Sequence, residues 1–290
     1  MRIFNLGSMN IDYVYSVPHF LQPGETLSSE SLEIFPGGKG LNQSVALGRA
    51  GAEVIHGAIL GTGGEFLVQT LKESHVDVSR IRKTEASSGH AIIQVEKGGQ
   101  NCILLYAGTN RMLDEAYIEE FLSDAALGDI LLLQNECSCL REAMELGHKK
   151  GMQIALNPSP FHTDILDLPL ECVDWWFCNE IEGAALFGSG EPKIIADRFA
   201  AAYPGSGLIL TLGGEGSLFV RDGLRLRQSI YPAQAVDTTA AGDTFTGYFL
   251  AAIAAGSTPK EAMDMAARAA SITVSRMGAA ASIPFLREII

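Results

Sequence analysis

The sequence predicts an α/β protein whose mainly parallel central sheet is covered by helices on both faces. Two observations predict this fold class. Short apolar runs of the kind found in buried strands alternate along the chain with helical patterns. The 31 glycines often fall at the ends of these runs, where turns are needed. A length of 290 residues is near the upper limit for one hydrophobic core, so we expect a single large domain.

The individual elements follow from these patterns. The predicted strands are Ile3–Leu6, Val54–Ile59, Ile130–Leu133, Gln153–Leu156, Trp175–Cys178, Leu208–Leu212 and Gly216–Val220. The helices predicted between them are Leu41–Ala50, Phe66–Ser74, Ala116–Ala125, Leu140–Lys149 and Ile194–Ala202. Two Ala-rich helices end the chain, Asp243–Ala255 and Pro259–Arg276. Thr258 suits the N-cap of the last helix, and Pro259 suits its first position.

Two segments interrupt the alternation of strands and helices. Ile11–Phe35 contains prolines and a glycine between strand-like flanks. Gly89–Tyr106 has the pattern of a β-hairpin whose turn contains Gly98 and Gly99. Short strands that project from an α/β core indicate either a lid or dimer surface, or an ordinary extension of the main sheet. The pattern alone leaves both readings open.

Composition excludes several classes of protein. Hydrophobic residues make up 47% of the chain, so it is not disordered. The formal net charge of −13 argues against nucleic acid or an anionic membrane as the main partner. No apolar run is long enough for a membrane span. The five cysteines include no C-x-x-C pair, so we expect core thiols and a cytoplasmic protein.

The segment Asp237–Gly247 carries the strongest chemical signal. Ala240, Ala241 and Gly242 are nearly without side chains, so a ligand can approach their N–H groups at the start of a helix, where the dipole favours anions. Such a nest would stabilise a phosphoryl group in transfer. Asp243 lies beside it and is either a general base or an ordinary acidic residue of a first helical turn.

The segment Gly37–Gln43 resembles a phosphate loop but is not a P-loop, because Lys39 is followed by glycine. Its glycines suit close approach of the backbone to a polar ligand. Asn42 and Gln43 begin an otherwise small and apolar helix, so they are placed to form hydrogen bonds there. The alternative is a simple helix start with a solvated lysine.

Three further polar segments follow predicted strands. Asn10 and Asp12 share one side of an extended chain and could bind a polyhydroxylated ligand, or they are turn residues. Asn179 and Glu182 could hold a magnesium water shell, or they form a capping box. The glycine turn in Thr211–Gly216 could let a nucleotide lie against backbone, or it is merely a hairpin. Ligands of open α/β sheets bind at the carboxyl ends of strands, so these segments point to one cleft.

Together these segments resemble the ribokinases of the PfkB carbohydrate kinase family. The segments that carry the resemblance run in order along the whole chain: Gly7–Asp12, Gly37–Gln43, Asn157–Pro160, Asn179–Glu182, Thr211–Gly216, Asp237–Gly247 and Ala266–Pro284. The resemblance implies a ribokinase-like three-layer fold with a small β-sheet lid, formed by residues 11–35 and 89–106, and a homodimer built through that lid. It also implies transfer of the ATP γ-phosphoryl group to the 5-hydroxyl of D-ribose, with magnesium and with potassium as activator.

The resemblance implies a role for individual residues. Asp243 would be the base, and the backbone of Ala240, Ala241, Gly242 and Asp243 would be the anion hole. The sugar site would contain Asn10, Asp12, Gly38, Lys39, Gly40, Asn42 and Glu136. ATP would contact Asn179, Thr211, Gly213, Gly216 and Gly242, and Glu182 would organise Mg²⁺ through water. Potassium would be bound by oxygens of Asp237, Thr239, Thr273, Arg276, Gly278 and Ser282.

Two alternatives remain from the sequence. The chain could be a family member that phosphorylates another pentose, a hexose or a nucleoside. Leu41 could change which sugar is bound, since it is bulkier than the Ala expected beside the sugar loop. The chain could also be a catalytically silent sugar-binding protein on the same fold, but the intact Asp243 segment argues against this alternative.

Overall fold

A central sheet of nine strands and a second sheet of four organise the computed structural model, which describes residues 1–289. The strands are β1 (Ile3–Leu6), β2 (Asn10–Val17), β3 (Ser31–Gly37), β4 (Val54–Thr62), β5 (Ile81–Ser87), β6 (Gly89–Glu96), β7 (Asn101–Tyr106), β8 (Ile130–Gln134), β9 (Gln153–Asn157), β10 (Val173–Asn179), β11 (Gly207–Thr211), β12 (Ser217–Arg221) and β13 (Leu224–Gln228). The helices are α1 (Lys39–Arg49), α2 (Glu65–Glu73), α3 (Glu115–Phe121), α4 (Leu140–Lys149), α5 (Glu180–Phe187), α6 (Pro192–Ala202), α7 (Ala241–Ala254) and α8 (Pro259–Thr273).

The central sheet is parallel except at one edge. Its strand order is β13-β12-β11-β10-β9-β8-β1-β4-β5. All neighbours pair in parallel except β12, which runs antiparallel to both β11 and β13. The predicted α/β class with a mainly parallel sheet is therefore confirmed.

Successive strand residues divide the core into two apolar layers. In β8, Ile130 and Leu132 pack on one face, whereas Leu131 and Leu133 pack on the other. The first layer includes side chains of α1, α2, α7 and α8, and the second includes side chains of α3, α4, α5 and α6. Because both faces are covered, the inner strands can be uniformly apolar, which is why they were recognisable as continuous runs.

Several boundaries differ from the sequence prediction. The predicted helix Ala116–Ala125 ends earlier, at Phe121, and begins at Glu115, because the Asp114 carboxylate caps it by accepting the Tyr117 N–H. The last predicted helix ends at Thr273 rather than Arg276. The Val274 carbonyl there accepts N–H groups of the crossing segment at 236–237. This contact takes the place of a further helical turn.

Three elements escaped the prediction. β5 is an edge strand with mostly exposed, polar side chains, so it carries no apolar run. β13 is the other edge, and its alternation of Leu and Arg was the available signal. α5 was expected only as a helix start at Asn179, but it continues to Phe187.

The second sheet is formed by the two segments that interrupt the alternation. Its order is β3-β2-β6-β7, with β2 and β6 parallel and both outer pairs antiparallel. β6 and β7 form the predicted hairpin. The reading in which these segments extend the main sheet is wrong, since they pair with each other and not with it. Whether this sheet closes over a ligand stays a prediction.

Cysteine placement agrees only in part with expectation. Cys137 and Cys178 are buried core thiols, whereas Cys102 lies exposed on β7, so the expectation of five core thiols is wrong for it. All five are free. Among residues 1–289, none of the helices combines the length and the apolarity that crossing a membrane requires.

Glycine contacts bring α1 close to its neighbours. A Cβ on Gly40 would lie 2.3 Å from the Cα of Gly7, so only glycine lets α1 approach the end of β1 this closely. A Cβ on Gly247 would lie 2.4 Å from the Cβ of Ala46, where α7 crosses α1. These contacts set how near the polar start of α1 comes to the start of α7.

Polar side chains are buried beneath the start of α1. Asn5 donates to the Gly40 carbonyl and to the Ser44 hydroxyl, at 2.8 Å in each case. The Ser44 Oγ lies 2.8 Å from Nδ1 of His56, which is fully buried. Burial lowers the pKa of His56 from 6.5 to about 3. The imidazole therefore stays neutral in the folded protein at all pH values near neutrality.

We expect His56 to make stability fall as the solution is acidified. Below pH 6.5 the unfolded chain binds a proton at His56 that the folded chain excludes down to about pH 3. Between about pH 7 and pH 5, the wild type should lose about 2 kcal/mol of unfolding free energy more than His56→Asn. Denaturant unfolding at both pH values measures this difference. The exposed His148→Asn is the control, and equal losses in wild type and His56→Asn would contradict the assignment.

Candidate active site

A cleft of about 220 Å³ lies at the carboxyl ends of the central strands. β9, β10 and β11 end at its wall, and α1 and α7 begin there. Its lining residues are Lys39, Asn157, Ser159, Phe177, Cys178, Asn179, Glu182, Thr211, Thr238, Ala240, Ala241, Gly242, Asp243 and Thr246. Four of the predicted segments supply lining residues: Gly37–Gln43, Asn179–Glu182, Thr211–Gly216 and Asp237–Gly247. The predicted pair Asn10 and Asp12 does not line the cleft.

The start of α7 presents free N–H groups to the cleft. Ala240 is its N-cap and has a left-handed backbone, with φ 60°, which is rare for a residue with a side chain. The first N–H groups of a helix have no intrahelical acceptor, so those of Gly242 and Asp243 are available to a ligand. A Cβ on Gly242 would meet no atom within 4 Å. The cleft therefore holds an open nest for an anion at the positive end of a helix dipole.

Two amides of α1 hold the carboxylate of Asp243. Nδ2 of Asn42 donates to Oδ2 at 3.1 Å, and Nε2 of Gln43 donates to Oδ1 at 2.9 Å. Asp243 is only 8% exposed. The amide oxygen Oδ1 of Asn42 is buried and has no hydrogen-bond partner among residues 1–289. A ligand hydroxyl could satisfy it, so this oxygen is a candidate contact for a sugar.

Lys39 supplies positive charge between carboxylates. Burial lowers the pKa of Lys39, but Asp243, Glu136 and Glu182 act in the opposite direction and leave that pKa raised overall. The ammonium group therefore stays charged. It lines the same cleft as Asp243 and the start of α7.

Glu136 and Asp12 form an acidic wall beside Lys39. Glu136 accepts hydrogen bonds from the Ser8 hydroxyl and, at 2.9 Å, from the Lys39 N–H. Burial, opposed by these contacts, leaves the pKa of Glu136 raised. Burial and then Glu136 raise the pKa of Asp12 to about 7. A Cβ on Gly37 would lie 2.0 Å from Oδ2 of Asp12, so that glycine admits the carboxyl group.

Asn10 is held by Asn110, which follows the end of β7. Nδ2 of Asn110 donates to Oδ1 of Asn10 at 2.7 Å, and Oδ1 of Asn110 accepts the Met9 N–H at 3.1 Å. Asn10 and Asp12 lie on one face of β2, as predicted. Neither lines the cleft itself, and they connect to it through the wall formed by Glu136 and Lys39.

Asn179 and Glu182 form the capping box at the start of α5. The Glu182 N–H donates to Asn179 Oδ1, and the Asn179 N–H donates to Glu182 Oε2, each at 2.9 Å. Both side chains also line the cleft, so capping does not remove them from a ligand. Glu182 is only 5% exposed, and it lines the cleft. A further ligand of its carboxylate would therefore lie in the cleft.

The predicted nucleotide turn has two kinds of glycine. Thr211 lines the cleft, and a Cβ on Gly213 would meet no atom within 4 Å. At Gly216, φ is +93° and a Cβ would lie 2.0 Å from the Gln228 carbonyl oxygen. The strand β13 therefore explains Gly216 without a ligand, and Gly216 does not line the cleft.

The two loops of the predicted potassium site meet beside α7. Asp237 accepts the N–H groups of Thr239 and Gly278, each at 2.9 Å. Burial opposes these bonds, which nonetheless hold the pKa of Asp237 below its usual value. The remaining members are otherwise engaged: Thr273 bonds Thr244, Ser282 bonds the Ala279 carbonyl, and the Arg276 side chain pairs with Glu288. Their backbone carbonyls remain as candidate cation ligands.

No group of three or more His, Cys, Asp or Glu side chains within residues 1–289 is arranged to hold a metal ion. A divalent cation in the cleft would therefore rely on few protein carboxylates, with phosphate oxygens and water as its other ligands. That donor set is the usual one for Mg²⁺ at nucleotide sites.

Sequence reasoning missed several residues that support this site. Ser8 and Asn110 bond Glu136 and Asn10, yet lie 128 and 100 positions away in the chain from these partners, so no local pattern reveals them. Gln134 ends an apolar strand, and a polar residue there was the available signal. Leu41 points into the apolar core and is fully buried, so its bulk does not face the sugar loop.

Comparison with known proteins finds relatives over nearly the whole chain. A model of the pfkB family of carbohydrate kinases matches residues 2–286. A ribokinase of Haemophilus influenzae is 35% identical over 98% of this chain and 95% of its own length. A solved ribokinase of Thermotoga maritima is 32% identical, with a TM-score of 0.89 and coverage of 100% and 98%. The ribokinase of Arabidopsis thaliana complexed with ribose and ATP is 28% identical, with a TM-score of 0.89 and coverage of 99% and 97%.

The family model spans nearly the whole chain. The solved ribokinases have the same fold as this chain over nearly their full length. The resemblance inferred from the sequence motifs is thereby confirmed. This chain belongs to the PfkB family of carbohydrate kinases.

Proposed function

We propose that the protein transfers the γ-phosphoryl group of ATP to the 5-hydroxyl of D-ribose, giving D-ribose 5-phosphate and ADP. The observation that carries the proposal is the anchored carboxylate of Asp243 beside the open N–H groups at the start of α7. Ribose is favoured among sugars because the relatives that the chain resembles, over nearly its full length, are ribokinases.

In the reaction, Asp243 takes the proton of the sugar hydroxyl as its oxygen bonds to the γ-phosphorus. The bond from that phosphorus to the β,γ-bridging oxygen breaks, and ADP leaves with the electron pair. The transition state is loose, so the protein mainly positions the reactants and stabilises charge. In this proposal the backbone of Ala240 to Asp243, which lines the cleft, is the anion hole, and the N–H groups of Gly242 and Asp243 bind the transferring oxygens. The ammonium of Lys39 adds positive charge.

We assign the sugar to the region that adjoins the cleft at Lys39. Its residues are Asn10, Asp12, Gly38, Lys39, Gly40, Asn42 and Glu136. Support comes from the unpartnered Oδ1 of Asn42 and from the carboxyl groups of Asp12 and Glu136, which suit hydroxyl donors. We assign the nucleotide to Asn179, Thr211, Gly213, Gly216 and Gly242. Open space at Gly213 and Gly242 supports this part, whereas Gly216 rests on the resemblance alone.

Two cations complete the proposal. Glu182 would organise Mg²⁺ through water, and its buried carboxylate on the cleft wall fits a metal whose other ligands are phosphate oxygens. The oxygens of Asp237, Thr239, Thr273, Arg276, Gly278 and Ser282 would hold K⁺, and the meeting of their two loops supports this. When bound, these cations supply charge that offsets the phosphates.

We further propose that the second sheet is a lid and that two copies associate through it in the cytosol. Both faces of that sheet expose apolar side chains, including those of Ile34, Ile103, Leu104 and Leu105. So many exposed apolar side chains on one small sheet are typical of an interaction surface. Free thiols in all five cysteines fit a reducing compartment.

A panel of phosphoryl acceptors tests the proposed substrate. We expect ADP release with ribose to exceed that with other pentoses, hexoses or nucleosides, and to be faster in potassium than in sodium. A preference for another acceptor would replace ribose while keeping the kinase. If no acceptor gives ADP but ligands still raise the melting temperature, the protein is a silent sugar-binding member.

We expect Asp243→Asn to lower kcat by a factor on the order of 10²–10⁴, because the amide cannot accept the hydroxyl proton. Sugar binding measured by calorimetry should change little, since the shape of the side chain is kept. Asp114→Asn, which preserves a helix cap outside the cleft, is the control. Near-normal turnover by Asp243→Asn would remove the base from the proposal.

We expect Gly242→Ala to fold normally, because its Cβ meets no protein atom within 4 Å. The added methyl group would occupy the nest where the transferring group binds, so kcat should fall about 100-fold. Gly190→Ala, equally unhindered but outside the cleft, should keep full turnover and the same melting temperature. Full turnover in Gly242→Ala would show that the phosphoryl group lies elsewhere.

A further inference from the structure

An unbroken chain of amide side chains runs under α1 to Asp243. Nε2 of Gln134 donates to Oδ1 of Asn5 at 2.9 Å and to Oε1 of Gln43 at 2.7 Å. Nε2 of Gln43 donates to Oδ1 of Asp243 at 2.9 Å and approaches Oδ1 of Asn157 at 3.4 Å. Asn5, Gln43 and Gln134 are all fully buried.

The hydrogen bonds in this series of amides all run in one direction, from donor to acceptor. Both amide hydrogens of Gln134 go to carbonyl oxygens, and both of Gln43 go to oxygens at the cleft end. Reversing the amide of Gln43 would turn its carbonyl oxygen toward the carboxylate of Asp243 and its hydrogens toward the donor group of Gln134. Two repulsive contacts would replace two hydrogen bonds, so the orientation is set from both ends.

The far end of the chain is also fixed. The side-chain amide of Asn5 donates one hydrogen to the Gly40 carbonyl and the other to the Ser44 hydroxyl. The Ser44 hydroxyl in turn forms a hydrogen bond of 2.8 Å with Nδ1 of the neutral His56. The whole assembly lies between β1, β4, β8 and α1, elements that the close glycine contacts hold together.

We propose that Gln43 is a positioning residue that fixes the orientation of the Asp243 carboxylate, and that Gln134 and Asn5 orient Gln43 for this task. The proposal deepens the proposed kinase activity and rests on it for its kinetic readouts. The hydrogen bond from Gln43 to Oδ1 and the one from Asn42 to Oδ2 together fix the plane of the carboxyl group.

The test compares Gln43→Leu and Gln134→Leu with wild type. Gln153→Leu is the matched control, since it removes a side-chain amide bonded to Trp175 at the opposite end of β9. Gln43→Leu should lower kcat about 10- to 100-fold, the scale of a displaced catalytic group, with both KM values within about 3-fold. Gln134→Leu should cause a smaller fall of the same kind, and Gln153→Leu none.

The separate effects on kcat and KM distinguish positioning from a general structural defect. Loss of the Gln43 donor should lower kcat and leave both KM values nearly unchanged, because the residues assigned to sugar and nucleotide are kept in every variant. A folded Gln43→Leu with wild-type kcat overturns the proposal, and so does an effect confined to KM.

A crystal structure of Gln43→Leu without substrate keeps the test independent of the reaction. A turned or disordered carboxyl group of Asp243 supports the proposal even if the wild type phosphorylates no sugar, in which case only the proposed function fails. A carboxyl group in the wild-type orientation overturns it. If Gln43→Leu does not fold, the structure of Gln134→Leu decides on the same two outcomes.

Discussion

The carboxylate of Asp243, gripped by two amides of α1, is the interaction on which the rest of the site depends. Asp243 begins α7, and Asn42 and Gln43 begin α1, about 200 positions earlier in the chain. The grip needs the two helices at close range, which Gly247 permits against Ala46. It also needs the start of α1 against the end of β1, which Gly40 and Gly7 permit. The glycines allow the close approach of these elements, and that approach lets the two amides of α1 reach Asp243.

This arrangement places a binding site for an anion next to a carboxylate. The positive end of α7 favours an anion, and the Asp243 carboxylate in the same first turn is itself an anion. The amides resolve the conflict by binding Asp243 from the side of α1, which leaves the N–H groups of Gly242 and Asp243 available to a ligand. The Ala241 N–H is already bonded to the Thr238 carbonyl at 3.3 Å.

Sequence reasoning succeeded where the signal was local. Continuous apolar runs located β1, β8 and β9, because strands covered on both faces carry no polar alternation. Small residues before Asp243 likewise revealed the nest. Reasoning failed at the edge strand β5, whose side chains face solvent, and at Asn110, whose partner Asn10 lies 100 positions away. Contacts between distant segments follow from the fold, so only the structure shows which polar residues support others.

The second sheet joins the core at a single crowded point. β2 begins at Asn10, β3 ends at Gly37 and β6 begins at Gly89, while Asn110 follows β7 closely. A Cβ on Gly89 would lie 2.3 Å from Nδ2 of Asn110, so these chain ends are packed around one amide pair. A displacement of the second sheet would therefore act on Asn10. If Asn10 binds the sugar as proposed, occupancy of that site would be coupled to the position of this sheet.

Charge explains why such a protein would need cations. The chain carries a net charge of −13, and in the cleft the ammonium of Lys39 already faces Asp243, Glu136 and Glu182. Three carboxylates around one ammonium leave an excess of negative charge before any phosphate arrives. Backbone N–H groups offset part of it, since a helix end contributes about half a unit of charge. The remainder must come with the ligand, and a nucleotide that arrives with Mg²⁺, beside a loop able to hold K⁺, would supply it.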